Sequence, residues 1–212
     1  MTTSPGAPRI KKGAIVSYRA GNSSPSVVLF QYNPTSLSRR VEARRHGDSG
    51  SMRLAGAPTE TIQAEIMIDA TDDLENEKQQ TIDTGILPQI AALEILLYPS
   101  SSDVVSNAQL ANLGVIEIAP PPAPFTLFIY GVNRVLPVTI TGLEIVEEAH
   151  DTNLNPIRAS VSVSMQVLSY NELGVNSEGG ALFLAHQTTK EVMAGIASAN
   201  GLDATGLTRI NL

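Results

Sequence analysis

The sequence contains no cysteine and no tryptophan, and aromatic residues make up only 4% of its 212 residues. Without cysteine, the chain can form neither a disulfide bond nor a cysteine-ligated zinc site. The longest apolar stretches are about ten residues, whereas a helix that crosses a bilayer needs about 20. We therefore expect no membrane association, and a core made mainly of aliphatic side chains.

The N-terminal segment lacks the apolar run of a secretory signal peptide. Residues 1–12 form a polar arm with two prolines. We therefore expect the chain to be synthesised and folded in the cytoplasm, and to leave the cell only as part of a larger particle. The net charge is −7, which opposes binding to nucleic acid because that binding needs clustered cations facing phosphate.

Charge is distributed unevenly along the chain. Residues 39–53 contain five arginines against two acids, and residues 60–83 contain eight acids against one lysine. Such asymmetry can set the register between complementary protein surfaces, and two separate solvated faces are the alternative interpretation. The candidate subunit-interface residues are three arginines and two aspartates: Arg39, Arg40, Arg44, Asp72 and Asp73.

Alternation of apolar and polar residues predicts a β-rich body. The clearest strands are predicted over residues 62–69 and 159–168, where the period of two persists longest. Residues 37–44 are predicted to be extended and amphipathic, with a basic outer face. Further strands are predicted over four segments: residues 13–19, 26–33, 125–130 and 132–148.

One buried helix is predicted over residues 88–97, because Pro88 stands at a helix start and almost every later residue is apolar. Residues 71–84 are predicted to form an acidic surface loop, and residues 99–124 to be irregular. Residues 181–199 are predicted to be helical. The predicted organisation has three parts: a flexible arm (1–12), a mainly β domain of α+β type (13–173) and a helical C-terminal extension (174–212).

No motif for catalysis or ligand binding occurs in the sequence. The three histidines lack metal-ligand spacing, and the acids near residues 69–77 lack the spacing and central glycine of an EF-hand loop. The sequence also has no nucleophile elbow, no P-loop and no dinucleotide-binding glycine pattern. We therefore expect a protein that is not an enzyme and that uses no cofactor, no metal and no small-molecule substrate.

Four patterned segments follow one another between residues 13 and 170. The first runs from Phe30 to Leu37 (FQYNPTSL) and is followed by basic residues, and the second runs from Gly56 to Asp72 (GAPTETIQAEIMIDATD). The third runs from Pro122 to Gly131 (PAPFTLFIYG), and the fourth from Asn155 to Val167 (NPIRASVSVSMQV). Their order gives them more weight together than any one has alone.

In this order the segments resemble the tube-like proteins of extracellular contractile injection systems, a family that includes baseplate spike–tube adaptors. The first resembles a strand that ends in F-x-[FY]-N-P, and the second a glycine-proline turn with an alternating strand and a D-A-T end. The third is similar to a proline-led strand ending in aromatic-glycine. The fourth resembles a G-x-P-x-R-A turn, with Leu154 or Asn153 in place of the glycine.

The resemblance implies a tail-tube-like β-sandwich or barrel with one helix, assembled as a hexameric ring or seated on one. It implies a baseplate hub subunit that joins the inner tube to the spike of a phage tail-like particle. The implied partners are further copies of the chain and the tube, spike and baseplate proteins. An inner-tube protomer is the alternative, although the segment after Gly174 argues against it because stacked rings leave little room for an extra docking element.

Residues 187–212 resemble part of a LysM domain, a module that many relatives with an adaptor role carry at their C-terminus. The similarity covers the helix–turn–helix part, and the opening Tyr-Thr-Val and Gly-Asp of that module are missing. The segment is interpreted as a docking element or as a plain packing helix. A peptidoglycan-binding module is the second alternative function.

Overall fold

The computed structural model describes residues 11–19, 24–45, 53–114 and 123–198. The strands in these ranges are β1 (Ala14–Tyr18), β2 (Ser26–Leu29), β3 (Leu37–Glu42), β4 (Thr59–Asp69), β5 (Phe125–Ile129), β6 (Val135–His150) and β7 (Pro156–Val167). The helices are α1 (Thr71–Glu75), α2 (Gln79–Thr84), α3 (Leu87–Glu94), α4 (Ser101–Asn112), α5 (Tyr170–Leu173) and α6 (Glu178–Ser198).

The seven strands form one antiparallel sheet in the order β2-β1-β5-β6-β7-β4-β3. The longest pairings join β7 to β6 and to β4, so these three strands form its centre. The fold is therefore mainly β with several helices, in agreement with the predicted α+β class. The described residues place all seven strands in a single sheet, whereas a sandwich would need a second.

The core lies on the sheet face that carries the alternate apolar residues of the central strands. In β4 and β7 these side chains are almost fully buried: Ile62, Ala64, Ile66, Ile68, Ala159, Val161, Val163, Met165 and Val167. Helix α3 covers this face with Ile90 and Leu93. The predicted helix after Pro88 is thus confirmed, and only one side of it is buried, since Leu87 and Ile95 are 43% and 46% exposed.

Two predicted irregular segments contain helices instead. Residues 71–84 form α1 and α2, and residues 101–112 within the predicted irregular stretch form α4. Helix α4 has no buried residue, and α1 and α2 direct only Leu74 and Thr81 inward, so the usual helical periodicity of buried residues is absent from their sequences. The predictions of an acidic loop and of an irregular segment at these positions were therefore wrong.

The sheet curls so that the segment after β2 reaches the end of β4. Nε2 of Gln31 donates a hydrogen bond to the carbonyl oxygen of Asp69 at 2.7 Å, and the Asp69 N–H donates to Oε1 of Gln31 at 2.8 Å. Strand β2 ends at Leu29 rather than at the predicted residue 33, and a last bond from the Phe30 N–H to the Gly13 carbonyl oxygen follows the β1–β2 pairing. Curling leaves a groove between β2 and β4.

Helix α6 packs against the β-rich body over its first half. Phe183 is buried in the main core and contacts Tyr170 edge to face, with ring centroids 5.8 Å apart. The second half is exposed, and it presents Val192, Met193 and Ile196 to solvent. Four segments discussed from the sequence lie outside the described residues. They are the predicted arm before residue 11, the predicted loop at residues 46–51, the proline run to residue 122 and the LysM-like residues after 198.

Candidate subunit interface

The predicted interface arginines lie on or next to β3, which is an edge strand of the sheet. Strand β3 pairs with β4, with Arg39 opposite Ile62 and Glu42 opposite Thr59, and no described strand pairs with its other side. Five of its six residues are exposed, including the apolar Val41. An edge with free backbone donors and acceptors is available to another chain.

Arg39 belongs to a charged network centred on the buried Glu60. Its Nε and one terminal nitrogen donate to Oε1 of Glu60 at 2.8 and 2.5 Å, and Nζ of Lys190 donates to Oε2 at 3.0 Å. The Glu60 side chain is only 2% exposed. Burial raises the pKa of Glu60, but the hydrogen bonds and positive charges of Arg39 and Lys190 outweigh burial and hold that pKa below its usual value.

This network connects three elements that are distant in sequence. Arg39 comes from β3, Glu60 from β4 and Lys190 from α6, and the carboxylate is shared between the two cations. A buried carboxylate needs such partners to stay ionised, and through it the two contacts link the edge strand and the helix to β4. The network gives Arg39 a structural role within one chain.

His186 lies one helical turn before Lys190 and is 9% exposed. Its Nδ1 lies 3.2 Å from the Asn133 carbonyl oxygen; since a carbonyl only accepts, Nδ1 is the protonated nitrogen of the neutral ring. Among the described residues, Nε2 has no hydrogen-bond partner. Burial and then the charge of Lys190 lower the pKa of His186, so the ring is neutral at neutral pH.

Arg44 also has a partner within the chain. One of its terminal nitrogens donates to Oε1 of Glu172 at 2.6 Å. Glu172 in turn closes a capping box at the start of α5, where its Oε2 accepts from the backbone N–H and the hydroxyl of Ser169. Burial raises the pKa of Glu172, and the bonds from Ser169 and Arg44 lower it to below its usual value overall.

Arg40 is the most accessible of the three predicted arginines. It pairs with Glu42 two residues later, at 2.6 Å, and the two side chains are 79% and 57% exposed. A fully solvated pair of this kind contributes little stability, about 0–1 kcal/mol. Arg40 can therefore exchange its partner for one on another molecule more easily than Arg39 or Arg44 can.

The predicted acids lie on α1, directly after the end of β4. Asp73 pairs with Lys78 at 2.7 Å, and Asp72 lies in the exposed first turn of the helix. The strand from Ile62, which faces Arg39, to Asp69 spans roughly 23 Å at about 3.3 Å per residue. The structure thus brings the arginines to one end of β4 and the acids to the other, and it does not bring the two groups together.

Sequence analysis did not identify Glu60, Lys190 or His186 as members of this region. The one available signal was Glu60 itself, an acid at a core-facing position of a strand whose other core-facing residues are apolar. Within the described ranges, no three His, Asp or Glu residues are grouped so that they could hold a metal ion. No helix in the described part of the chain is long and apolar enough to cross a bilayer.

Comparison with known proteins does not assign the chain to a family. No family model matches the sequence, and no curated protein matches it at a significant level.

Proposed function

We propose that this chain is a structural baseplate hub subunit that joins the inner tube to the spike of an extracellular contractile injection system. Its action would be mechanical and geometric, since it would hold neighbouring proteins in place. The tail-tube-like fold, the hexameric ring and the phage tail-like particle all belong to this proposal. The four ordered segments between residues 13 and 170 support the choice of family.

The observation on which the proposal depends is the separation of opposite charges along one strand. Arg40 lies on the free edge strand β3 beside the first half of β4, and Asp72 lies beyond its far end. Since the two groups cannot meet within one chain, they can pair only between copies. A contact between two different surfaces of the same protein is heterologous, and repetition of such a contact closes a ring when the rotation permits.

Electron microscopy of the purified chain, alone and mixed with the products of neighbouring genes, tests the proposal. We expect rings that cap the tube at about one ring per particle, with each subunit interface burying on the order of 1,600 Å². Many rings per particle would instead favour the inner-tube protomer. A strictly monomeric chain that is absent from assembled particles would contradict both forms of the proposal.

Peptidoglycan binding is the competing function, and it has less support. Among the described residues of the C-terminal extension, the only aromatic side chain is Phe183, and it is buried in the core. It is therefore not accessible as a stacking surface for sugar rings. A sedimentation assay with insoluble peptidoglycan separates the two functions, and we expect the chain to remain in the supernatant.

A further inference from the structure

We propose that the groove between β2 and the second half of β4 is a docking slot for an extended peptide strand from a partner protein. The groove has a volume of about 540 Å³, and helix α3 forms part of its wall. Eight apolar residues line it: Val27, Val28, Leu29, Ile66, Ile68, Pro88, Ala92 and Leu93. The groove shares Asp73 with the acidic end of β4, but a peptide docked here needs no contact with Arg40 or Asp72, so the inference holds whether or not the chain forms a ring.

One side of the groove is a stretch of β4 that lacks a neighbouring strand. Strand β3 pairs with β4 only from Thr59 to Ala64, and within the described residues no strand continues that pairing along residues 65–69. The other side of β4 pairs with β7 without interruption from Glu60 to Asp69. Among the described residues, the backbone of residues 65–68 is therefore paired with a strand on one side only, and on the other side Asp69 bonds to the side chain of Gln31.

Gln31 shows what kind of group this open side accepts. Its side-chain amide donates to the Asp69 carbonyl oxygen and accepts from the Asp69 N–H, as the backbone of a neighbouring strand residue would. Alternate residues of a strand direct their backbone groups to the same side. The N–H and carbonyl groups of Glu65 and Met67 are therefore directed to the same side of β4 as those of Asp69, the side on which Gln31 lies.

The opposite side of the groove is the free edge of β2. In the part of the chain that the structure describes, β2 pairs with β1 only, and Val27 and Leu29 remain 57% and 58% exposed. An inserted segment could thus bond to β2 and to β4 at once. Such a segment needs two free edges, so it must be a peptide arm and not the edge of a folded sheet.

Length and charge define the peptide that fits. Four residues, matching 65–68, span about 13 Å in a strand. Three of the four charged side chains that line the groove are already paired, because Asp69 binds Arg158 and Asp73 binds Lys78; the fourth, Lys12, disfavours a positively charged occupant. The apolar lining favours an uncharged segment of four residues with apolar side chains at alternate positions, directed toward Ile66 and Ile68.

A matched pair of variants at Met67 isolates the backbone contact. Its side chain is 47% exposed on the sheet face opposite the core, and by the alternation described above its N–H is directed away from β7. The variant Met67→Pro removes that donor without touching the β7 ladder, and Met67→Ala keeps it. Urea unfolding of both variants establishes that each is folded before binding is compared.

The probe is the capped synthetic peptide KTVTVTVTK, titrated into the full chain and followed by amide hydrogen exchange. We expect fast exchange at the amides of Glu65 and Met67 in the free chain and at least tenfold slower exchange with peptide. Binding should weaken about fivefold in Met67→Pro relative to Met67→Ala, the effect of one backbone hydrogen bond. The control peptide KTETETETK, with glutamate in place of valine, should give no protection.

Three results would overturn the inference. Slow exchange at Glu65 and Met67 without peptide would mean that the chain already fills the slot itself. Equal affinity of the two Met67 variants would exclude strand addition at β4. Equal protection by the glutamate peptide would show nonspecific binding.

Discussion

At the scale of single residues, Glu60 is a charged side chain that is almost completely buried. Its carboxylate lies on an otherwise apolar face of β4. It remains ionised because Arg39 of β3 and Lys190 of α6 both donate hydrogen bonds to it. Removing one member of a buried ion pair usually costs more than the pair contributes, since an uncompensated charge remains. Glu60 is therefore the residue at which a small chemical change should have the largest effect.

We expect Glu60→Gln to lower the free energy of unfolding by about 3 kcal/mol at pH 7, the lower end of the range for a broken buried pair, because both cations keep some contact with water. Urea unfolding measures this difference. The matched control is Glu65→Gln, the same substitution on the exposed face of the same strand, which should change stability by less than about 0.5 kcal/mol.

The same pair of variants has a defined pH dependence. The folded-state pKa of Glu60 is below its ordinary value of 4.5, so its contribution is complete above that value. The contribution is lost as the pH falls through the lower folded-state pKa. The difference between wild type and Glu60→Gln should therefore shrink in that acidic range, and a difference that grows on acidification would contradict the assignment.

The sequence could identify the basic residues of this region but not their partners. Arg39, Arg40 and Arg44 stand out as a cluster of like charge. Their structural partners could not be found by spacing, because 128 residues separate Arg44 from Glu172 and 130 separate Glu60 from Lys190. Contacts of this range depend on the order of strands in the sheet, which local periodicity does not contain.

At the scale of elements, the two connections that flank α3 show where prediction from periodicity ends. Helix α4 has no buried residue, and Val104 and Val105 are more than half exposed. The helices α1 and α2 are short and polar. Strands with a buried face were predicted correctly because burial imposes a period of two. These helices were missed because at most one residue in each is directed inward, Leu74 in α1 and Thr81 in α2, which is too few to impose a period of 3.6.

The junction between α2 and α3 depends on Gly85. Its φ of 58° lies in the left-handed region, and a Cβ there would overlap the carbonyl oxygen of Pro156. We expect Gly85→Ala to destabilise the chain by at least about 3 kcal/mol, from strain and overlap together. Thermal unfolding followed by circular dichroism measures this loss.

The control for that prediction is Gly131→Ala. Gly131 has a φ of 80°, but among the described residues other than its two chain neighbours no atom lies within 4 Å of the position a Cβ would take. This variant has the backbone strain without the overlap, and it should cost about 1 kcal/mol. Equal losses for the two variants would show that the contact with Pro156 does not restrict the junction.

At the scale of the whole molecule, the placement of charge at the two ends of β4 is the feature that predicts association. Opposite charges about 23 Å or more apart on one chain interact little, since the Debye length at physiological salt is about 8 Å. Between copies the same charges can come into contact. Self-association should therefore weaken as salt is raised, which sedimentation velocity can measure.

We expect Arg40→Glu to weaken self-association about tenfold, because it replaces an attractive contact by a repulsive one. Asp72→Arg should have a similar effect, and the double variant should recover most of the loss. Glu94→Arg, on the exposed side of α3, is the control and should leave association unchanged. Failure of the double variant to recover association would show that Arg40 and Asp72 do not meet.

The fold class and most elements of the described fold agree with the predictions from the sequence. The closure of the curled sheet, which bonds the segment after β2 to the end of β4, could not be predicted. Alternation predicts that a strand has a buried face, and it does not state which strand lies beside it. The contact between Gln31 and Asp69 joins the segment after β2 to the end of β4. A glutamine in a turn gives no sign of such a role in the sequence. The groove beside β2 exists because of this closure and was therefore invisible in the sequence.

The contact between Lys190 and Glu60 also has a consequence for how the chain responds to a mechanical force applied at the C-terminal end of α6. A pull on α6 from its C-terminal end stretches this ion pair before it reaches Phe183. Glu60 lies on a strand that is bonded to neighbours on both sides, whereas Lys190 is held to it by one ion pair, so that pair should break before any ladder bond does. The second half of α6 should accordingly come away first, while Phe183 still anchors its first half in the core.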